Sequence, residues 1–387
     1  MKFLPYIVKN IMRHKLRNVF TVLSIAVSLF LVTILYAYVS VQDELAAKSV
    51  QYNRVVVQHA QGLTFPVPLA YVDRVRSMPG VKAAIPLSWF GGKYKDDKIP
   101  FAQFATDPQT ILSVFTEYTV PPEQLSAWQN NRTGCIVGEK IARKRGWKIG
   151  DKIPLQGDIY PINLELTIDG IYDGPETADK EMLWYHYDYF DELLKKNRPI
   201  MAGNAGTIFV KVDSADRLSS MMRDIDDRFA SSDAPVRSMT EQAFQQMFTQ
   251  MLGNIRAYIL NVSLAVVFSL VCVAGNAMAM SLRERTREVA VLKAIGFSRR
   301  TVLSLMLSEA MLVAMLGGAI GVFGAKTLFD WTDLTVSGIP GFSTFYVPWS
   351  TIGLGLAVSA AVGLTAGAIP AWRAAQVSVV NGLRKVV

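Results

Sequence analysis

Four stretches of this chain carry almost no charge, and they leave few folds open. No Asp, Glu, Lys or Arg occurs between Arg17 and Asp43, or between Arg256 and Arg283. Val302–Ala325 holds one acid, Glu309, and Leu334–Trp372 holds no charged residue. Each run reaches the ~20 residues that a helix needs to cross a bilayer core. Lipid offers no partner to an open backbone N–H or C=O, so helices are the expected form. The predicted spans are 19–41, 256–282, 301–325 and 349–372. The first is longer than the apolar core of a signal peptide and lacks a convincing small-x-small cleavage pattern, so it reads as a signal anchor.

A net charge of +8 over 387 residues could suggest nucleic acid, but its distribution argues against that. Residues 42–255 hold 24 Lys and Arg against 27 Asp and Glu, a net −3, which leaves +11 for the rest. The excess lies beside the apolar runs: Lys9, Arg13, Lys15 and Arg17 before the first, Arg283, Arg285, Arg287, Lys293, Arg299 and Arg300 between the second and third, and Arg373, Arg384 and Lys385 after the fourth. The positive-inside rule places both termini and 283–300 in the cytoplasm, and 42–255 and 326–348 outside. Four crossings return the chain to its starting side, so the assignments agree. Cys135 falls in the outer domain and Cys272 in a span, so no intramolecular disulfide is expected.

Residues 1–18 read either as an amphipathic helix in the headgroup region, with Leu4, Ile7, Val8, Ile11 and Met12 opposite the basic residues, or as a basic flank that only sets topology. In the outer domain, Arg54–Gln58 reads as a strand, Leu69–Ser77 as a helix, and Val81–Tyr94 and Ile99–Thr106 as two strands about Lys95–Asp97. A second such unit closes the domain: strand Thr207–Val212, a helix capped by Asp213-Ser214 and running to Phe229, and strand Val236–Met239. Two split strand–helix–strand units commonly pack as one sheet with helices against it. Between them, about 120–200 reads as a β-rich insert: strands Thr133–Val137, Lys152–Leu155, Leu164–Ile168 and Gly170–Tyr172, with helix Glu139–Arg145. The aromatic run Trp184–Phe190 is expected to be half-buried packing. Gln42–Tyr52 and Ser238–Ile255 are expected to extend the first and second spans as a stalk. The fold class is therefore four transmembrane helices with a large extracytoplasmic α+β domain between spans one and two. Gly317 and Gly321 in the third span, and Gly363 and Gly367 in the fourth, have the small-xxx-small spacing of close helix packing. The first span lacks such glycines and is expected to face lipid or a looser neighbour.

Catalytic chemistry finds no constellation here. His14, His59 and His186 are far apart, no HExxH or clustered Cys/His spacing occurs, and the glycines of 318–327 do not have phosphate-loop spacing. No cofactor or metal is expected. Glu309, about two turns into the third run, is expected to meet water or Arg299/Arg300 at the interface.

Several stretches resemble one family. Lys15–Ser28, Arg283–Ser298 with Leu307-Ser-Glu-Ala310 and Gly317–Gly324, and Gly367–Ala375 are similar to the span signatures of FtsX-like/MacB-like ABC transporter permeases. Pro79-Gly80-Val81 and Gly146–Asp151 resemble that family's periplasmic core domain, while Val379 and Gly382 depart from its C-terminal pattern. The resemblance implies a mechanotransmission permease of the bacterial inner membrane, working with a separate ATPase subunit and a second permease copy or paralogue. A periplasmic adaptor or lipoprotein is a further expected partner. It implies a coupling helix within 283–300, with Val289, Leu292 and Ile295 facing the partner or the bundle, Arg285, Arg287, Glu288 and Lys293 fixing orientation, and Gly296 ending it. A signalling scaffold that regulates a cell-wall hydrolase is the alternative.

Overall fold

The computed structural model describes residues 15–95, 97, 101–175, 178–251, 255–332 and 345–379. The expected headgroup helix lies outside the described residues up to position 14, as do 333–344 of the expected outer loop, 380–387 of the tail and 252–254. The described residues form two compact units, 42–251 and the remainder.

In the larger unit twelve strands form: β1 Arg54–His59, β2 Val67–Pro68, β3 Val81–Trp89, β4 Lys93–Tyr94, β5 Gln103–Thr106, β6 Gly134–Gly138, β7 Lys152–Gln156, β8 Asn163–Tyr172, β9 Leu183–His186, β10 Asn204–Ala205, β11 Thr207–Val212 and β12 Val236–Thr240. Ten of them make one sheet in the order β12-β1-β11-β3-β5-β9-β6-β8-β7-β4, and β2 pairs with β10. The segment 120–200 is an insertion in chain order that continues this sheet, through parallel pairing of β5 with β9. Alternation along β1 and β11 explains the layers. Val55, Val57, Ile208 and Val210 meet helices Ala70–Arg76 and Leu218–Phe229 through Tyr71, Val75, Ile225 and Phe229. Val56 and Phe209 point the other way, into a cluster with Ile85, Trp128 and Trp184.

Several expected elements end elsewhere, for local reasons. The strand from Val81 stops at Trp89 because Phe90 turns into the core and Gly91 takes a positive φ of 62°. Lys93-Tyr94 then pairs with β7. Leu164–Ile168 and Gly170–Tyr172 are one strand, since Gly170 continues it where a Cβ would lie 3.0 Å from Ile136. Asp213-Ser214 does not cap the long helix: a 3₁₀ turn at Ala215–Arg217 intervenes, and Asp213 accepts a hydrogen bond from Arg217 instead. Ser238–Thr240 belong to β12, and the helix after them is Glu241–Met251. The aromatic run is core: Trp184, Tyr185 and Phe190 are buried, with Trp184 stacked on Tyr172 at 4.6 Å.

The other unit is helical. Lys15–Ser49, Ile255–Glu284, Arg299–Thr332 and Trp349–Gln376 contain four segments long and apolar enough to cross a bilayer. The first of these helices does not stand apart from the glycines as expected. Ile25 and Leu29 are buried against Leu270, Val313 and Val362. A Cβ on Gly317 would lie 2.7 Å from that of Ile25, and one on Gly321 would reach the Ala26 carbonyl oxygen. The small residues sit on the third helix and serve the first. Gly363 and Gly367 face Met311, Ala314 and Ala310, so all four glycines pack within this chain.

Candidate functional site

The connection between the second and third long helices is a short helix, Thr286–Ala294, flanked by Arg285 and Gly296. Its i, i+4 positions fall on two stripes. Arg285, Val289 and Lys293 form one, with Leu292 half-buried beside it; Arg287, Val291 and Ile295 form the other.

The first stripe is turned inward. Val289 is 1% exposed and packs with Val302, Met306 and Ala371. Arg285 is 3% exposed, and its Nη1 donates to both carboxylate oxygens of Glu309, at 2.8 and 2.9 Å. Glu309 is therefore bonded inside the bundle, not at the interface with Arg299 or Arg300 as the sequence suggested. Lys293 Nζ donates to Ala375 O at 2.5 Å, in the last turn of the fourth helix, and to Val377 O at 2.7 Å, just past its end. A carbonyl in the last turn has no partner of its own in the helix, and a cation there also meets the favourable end of the dipole. Burial, with Arg299 nearby, pushes the Lys293 ammonium below its ordinary value. A further tie joins neighbouring helix ends, from Arg17 Nη1 to Glu284 Oε2 at 2.6 Å.

The second stripe faces out. Arg287 is exposed, Val291 is 45% exposed and Ile295 71%. Arg283, Arg299 and Arg300, on either side of the short helix in the chain, are exposed as well. Glu288 is half-buried between the stripes. Gly296 closes the helix at φ +104°, with Phe297 N donating to Leu292 O and Gly296 N to Lys293 O, the paired bonds of a left-handed C-terminus. Nothing lies within 4 Å of a Cβ there, so the backbone angle alone selects glycine. Gly296→Ala is expected to cost about 1 kcal/mol, read as a small drop in melting temperature.

Arg285, expected from the resemblance to fix orientation by charge, is buried and bonded to Glu309. Two residues of this arrangement were not singled out from the sequence in these places. Glu309 could have been matched to Arg285, because an acid two turns into one helix lies level with the connection before it. Val291 completes the Arg287–Ile295 stripe by spacing. Among the described residues no cluster of three or more His, Cys, Asp or Glu could hold a metal.

The profile of the MacB-like periplasmic core domain matches residues 19–228, over half of the chain, and that of the FtsX-like permease C-terminal matches 261–379. A macrolide export ATP-binding/permease protein MacB of Syntrophobacter fumaroxidans is 32% identical over 162 residues, 39% of this chain and 20% of that protein. An uncharacterized ABC transporter permease of Methanocaldococcus jannaschii is 21% identical over 397 residues, 97% of this chain and 96% of that one. The crystal structure of the periplasmic region of MacB from Actinobacillus actinomycetemcomitans aligns over 54% of this chain and 95% of its own, at 10% identity and a TM-score of 0.36. The chain spans only a fifth of the length of the Syntrophobacter protein. With both profiles matched in the order that the four helices and the intervening α+β domain require, the chain belongs to the FtsX-like/MacB-like family of ABC transporter permeases, multi-pass membrane proteins with a MacB-like periplasmic core domain.

Proposed function

We propose that this permease receives movement from a partner ABC ATPase at the short helix Thr286–Ala294 and passes it through the membrane helices to the periplasmic domain. That domain would drive export or extraction of a substrate in the envelope. The reading places 283–300 and both termini in the cytoplasm of a cell with the domain outside its inner membrane, in line with the basic excess beside the spans. ATP is hydrolysed on the partner, and the permease works as a pair with a second copy or a paralogue.

One observation carries this reading. The short helix is tied inward by Arg285, Val289 and Lys293, while Arg287, Val291 and Ile295 remain exposed. A helix fixed on one face and open on the other transmits displacement instead of absorbing it. The exposed arginines on and beside the helix set register and encounter, and the two aliphatic residues fill a groove on the ATPase.

Ile295→Asp tests it. Ile295 has little packing to lose, so insertion and melting temperature are expected to stay at the wild-type values. Stimulation of the ATPase that copurifies from membranes is expected to fall at least tenfold. Full stimulation by the double variant Val291→Asp/Ile295→Asp sinks the docking face. Leu292 is a poorer probe, because it is half-buried.

A further inference from the structure

The periplasmic domain has two doors. The chain enters through β1 and leaves through β12 into the helix Glu241–Met251. These strands are neighbours at one end of the sheet, paired antiparallel with Val55 opposite Thr240. Arg54, the first residue of β1, and Glu241, the first residue of the exit helix, therefore meet.

Their contact is a built, buried ionic cluster. Arg54 is 3% exposed and Glu241 7%. Arg54 Nε donates to Glu241 Oε2 at 2.6 Å and Nη2 to Glu241 Oε1 at 3.0 Å, a two-pronged fork. Nη1 donates to Glu117 Oε2 at 2.7 Å and to Val114 O at 3.3 Å. The guanidinium also lies over two rings, with Tyr52 at 4.5 Å and Phe115 at 4.6 Å from its carbon. Lys211, opposite Arg54 on β11, donates to Tyr52 O at 2.7 Å. Two cations and two carboxylates thus converge on the segment between the entering helix and β1. Burial raises the Glu241 carboxyl above its ordinary value, against the pull of Arg54. Adhesion alone does not call for such a cluster, because well-packed apolar residues hold a buried site at least as firmly as an ion pair. The fork adds direction: it fixes the exit helix to the entry strand at one angle.

We propose that Arg54 is a positioning residue, and that the Arg54–Glu241–Glu117 clasp locks the chain's two doors together so that displacement at either one moves the whole periplasmic domain. The role in transmission rests on the permease reading above; the local locking does not.

The test uses the full chain in nanodiscs. The variant Arg54→Met/Glu117→Leu/Glu241→Leu replaces the clasp by apolar groups, and Arg54→Lys keeps the charge but removes the fork. The apolar triple variant is expected to melt within a few degrees of wild type. Its amide hydrogen exchange at Phe244–Met247 is expected to rise at least tenfold, and its stimulation of the copurified ATPase to fall severalfold. Arg54→Lys is expected to show the same pattern at reduced amplitude, and it decides the matter if the triple variant does not fold. Unchanged exchange at Phe244–Met247 in a folded variant overturns the clasp, and so does loosened exchange with full stimulation. A wild-type chain that stimulates no ATPase sinks the permease reading, and the exchange result then judges the locking alone.

Discussion

Glu309→Ala is expected to lower the stability of the membrane unit by about 3–5 kcal/mol, the scale for removing one partner of a buried ion pair. The Arg285 side chain has 4% of its surface exposed and that of Glu309 10%. Without the carboxylate, the guanidinium remains charged among Val289, Met306 and the glycine-bearing face of the fourth helix. The converse variant is predicted to be milder. A lone buried carboxylate can bind a proton and become neutral, whereas a guanidinium keeps its charge. Arg285→Met is therefore expected to cost less than Glu309→Ala. The double variant Arg285→Met/Glu309→Leu is expected to regain most of the loss, because it removes both charges of the pair. Melting of the detergent-solubilised chain reads all three. Equal melting of Glu309→Ala and wild type contradicts a buried pair at this position. The double variant also separates adhesion from positioning: if the pair orients the short helix, melting returns while ATPase stimulation does not.

The four membrane helices were legible because a bilayer forbids what a soluble core allows, and runs of this length with almost no charge fit a membrane span. The strands flanking the periplasmic domain were legible as well, since Arg54–His59 and Thr207–Val212 are short, Val-rich and bounded by turn residues. What stayed hidden depends on partners distant in sequence. Nothing in Lys93-Tyr94 announces that it pairs with β7, sixty residues on, and nothing in Gln103–Thr106 announces a parallel neighbour at Leu183–His186. The strand expected to break at Asp169 runs on through Gly170, although a glycine inside a strand usually weakens it. The glycine is kept because Ile136 and Gln124 crowd the place of its missing side chain. At the short helix, the expected apolar face of Val289, Leu292 and Ile295 divides between an inward and an outward stripe, and the ion pair that turns one stripe inward depends on Glu309, on another helix. The Arg54 clasp was invisible for the same reason: Arg54, Glu117 and Glu241 lie in three segments that only the folded sheet brings together.

Gly321→Ala is expected to destabilise the membrane unit by about 1–3 kcal/mol, the range for overpacking a close contact. By helix propensity alone the substitution should help, since alanine is favoured over glycine by about 1 kcal/mol in a helix interior. Space reverses the sign. A Cβ on Gly321 would run into the Ala26 carbonyl oxygen and lie 3.0 Å from Phe30 N, both backbone atoms of the first long helix. Backbone cannot rotate away as a side-chain tip can, so the two helices must separate along the whole contact. That would also pull Ile25 off Gly317 one turn back, where the separation is already tight. Gly324 and Gly353 supply internal controls. Gly324 faces only a Phe30 ring carbon at 4.0 Å, and Gly353 has nothing within 4 Å. Alanine at either position is expected to leave melting unchanged or raise it slightly, because only the propensity effect remains. The same substitution should therefore change sign between positions 321 and 324, one turn apart on one helix. Melting of Gly321→Ala at or above wild type means that the first helix does not approach the third through this glycine. Restoration of Gly321→Ala by Ala26→Gly is not expected, since the obstruction is the carbonyl of residue 26 and not its side chain.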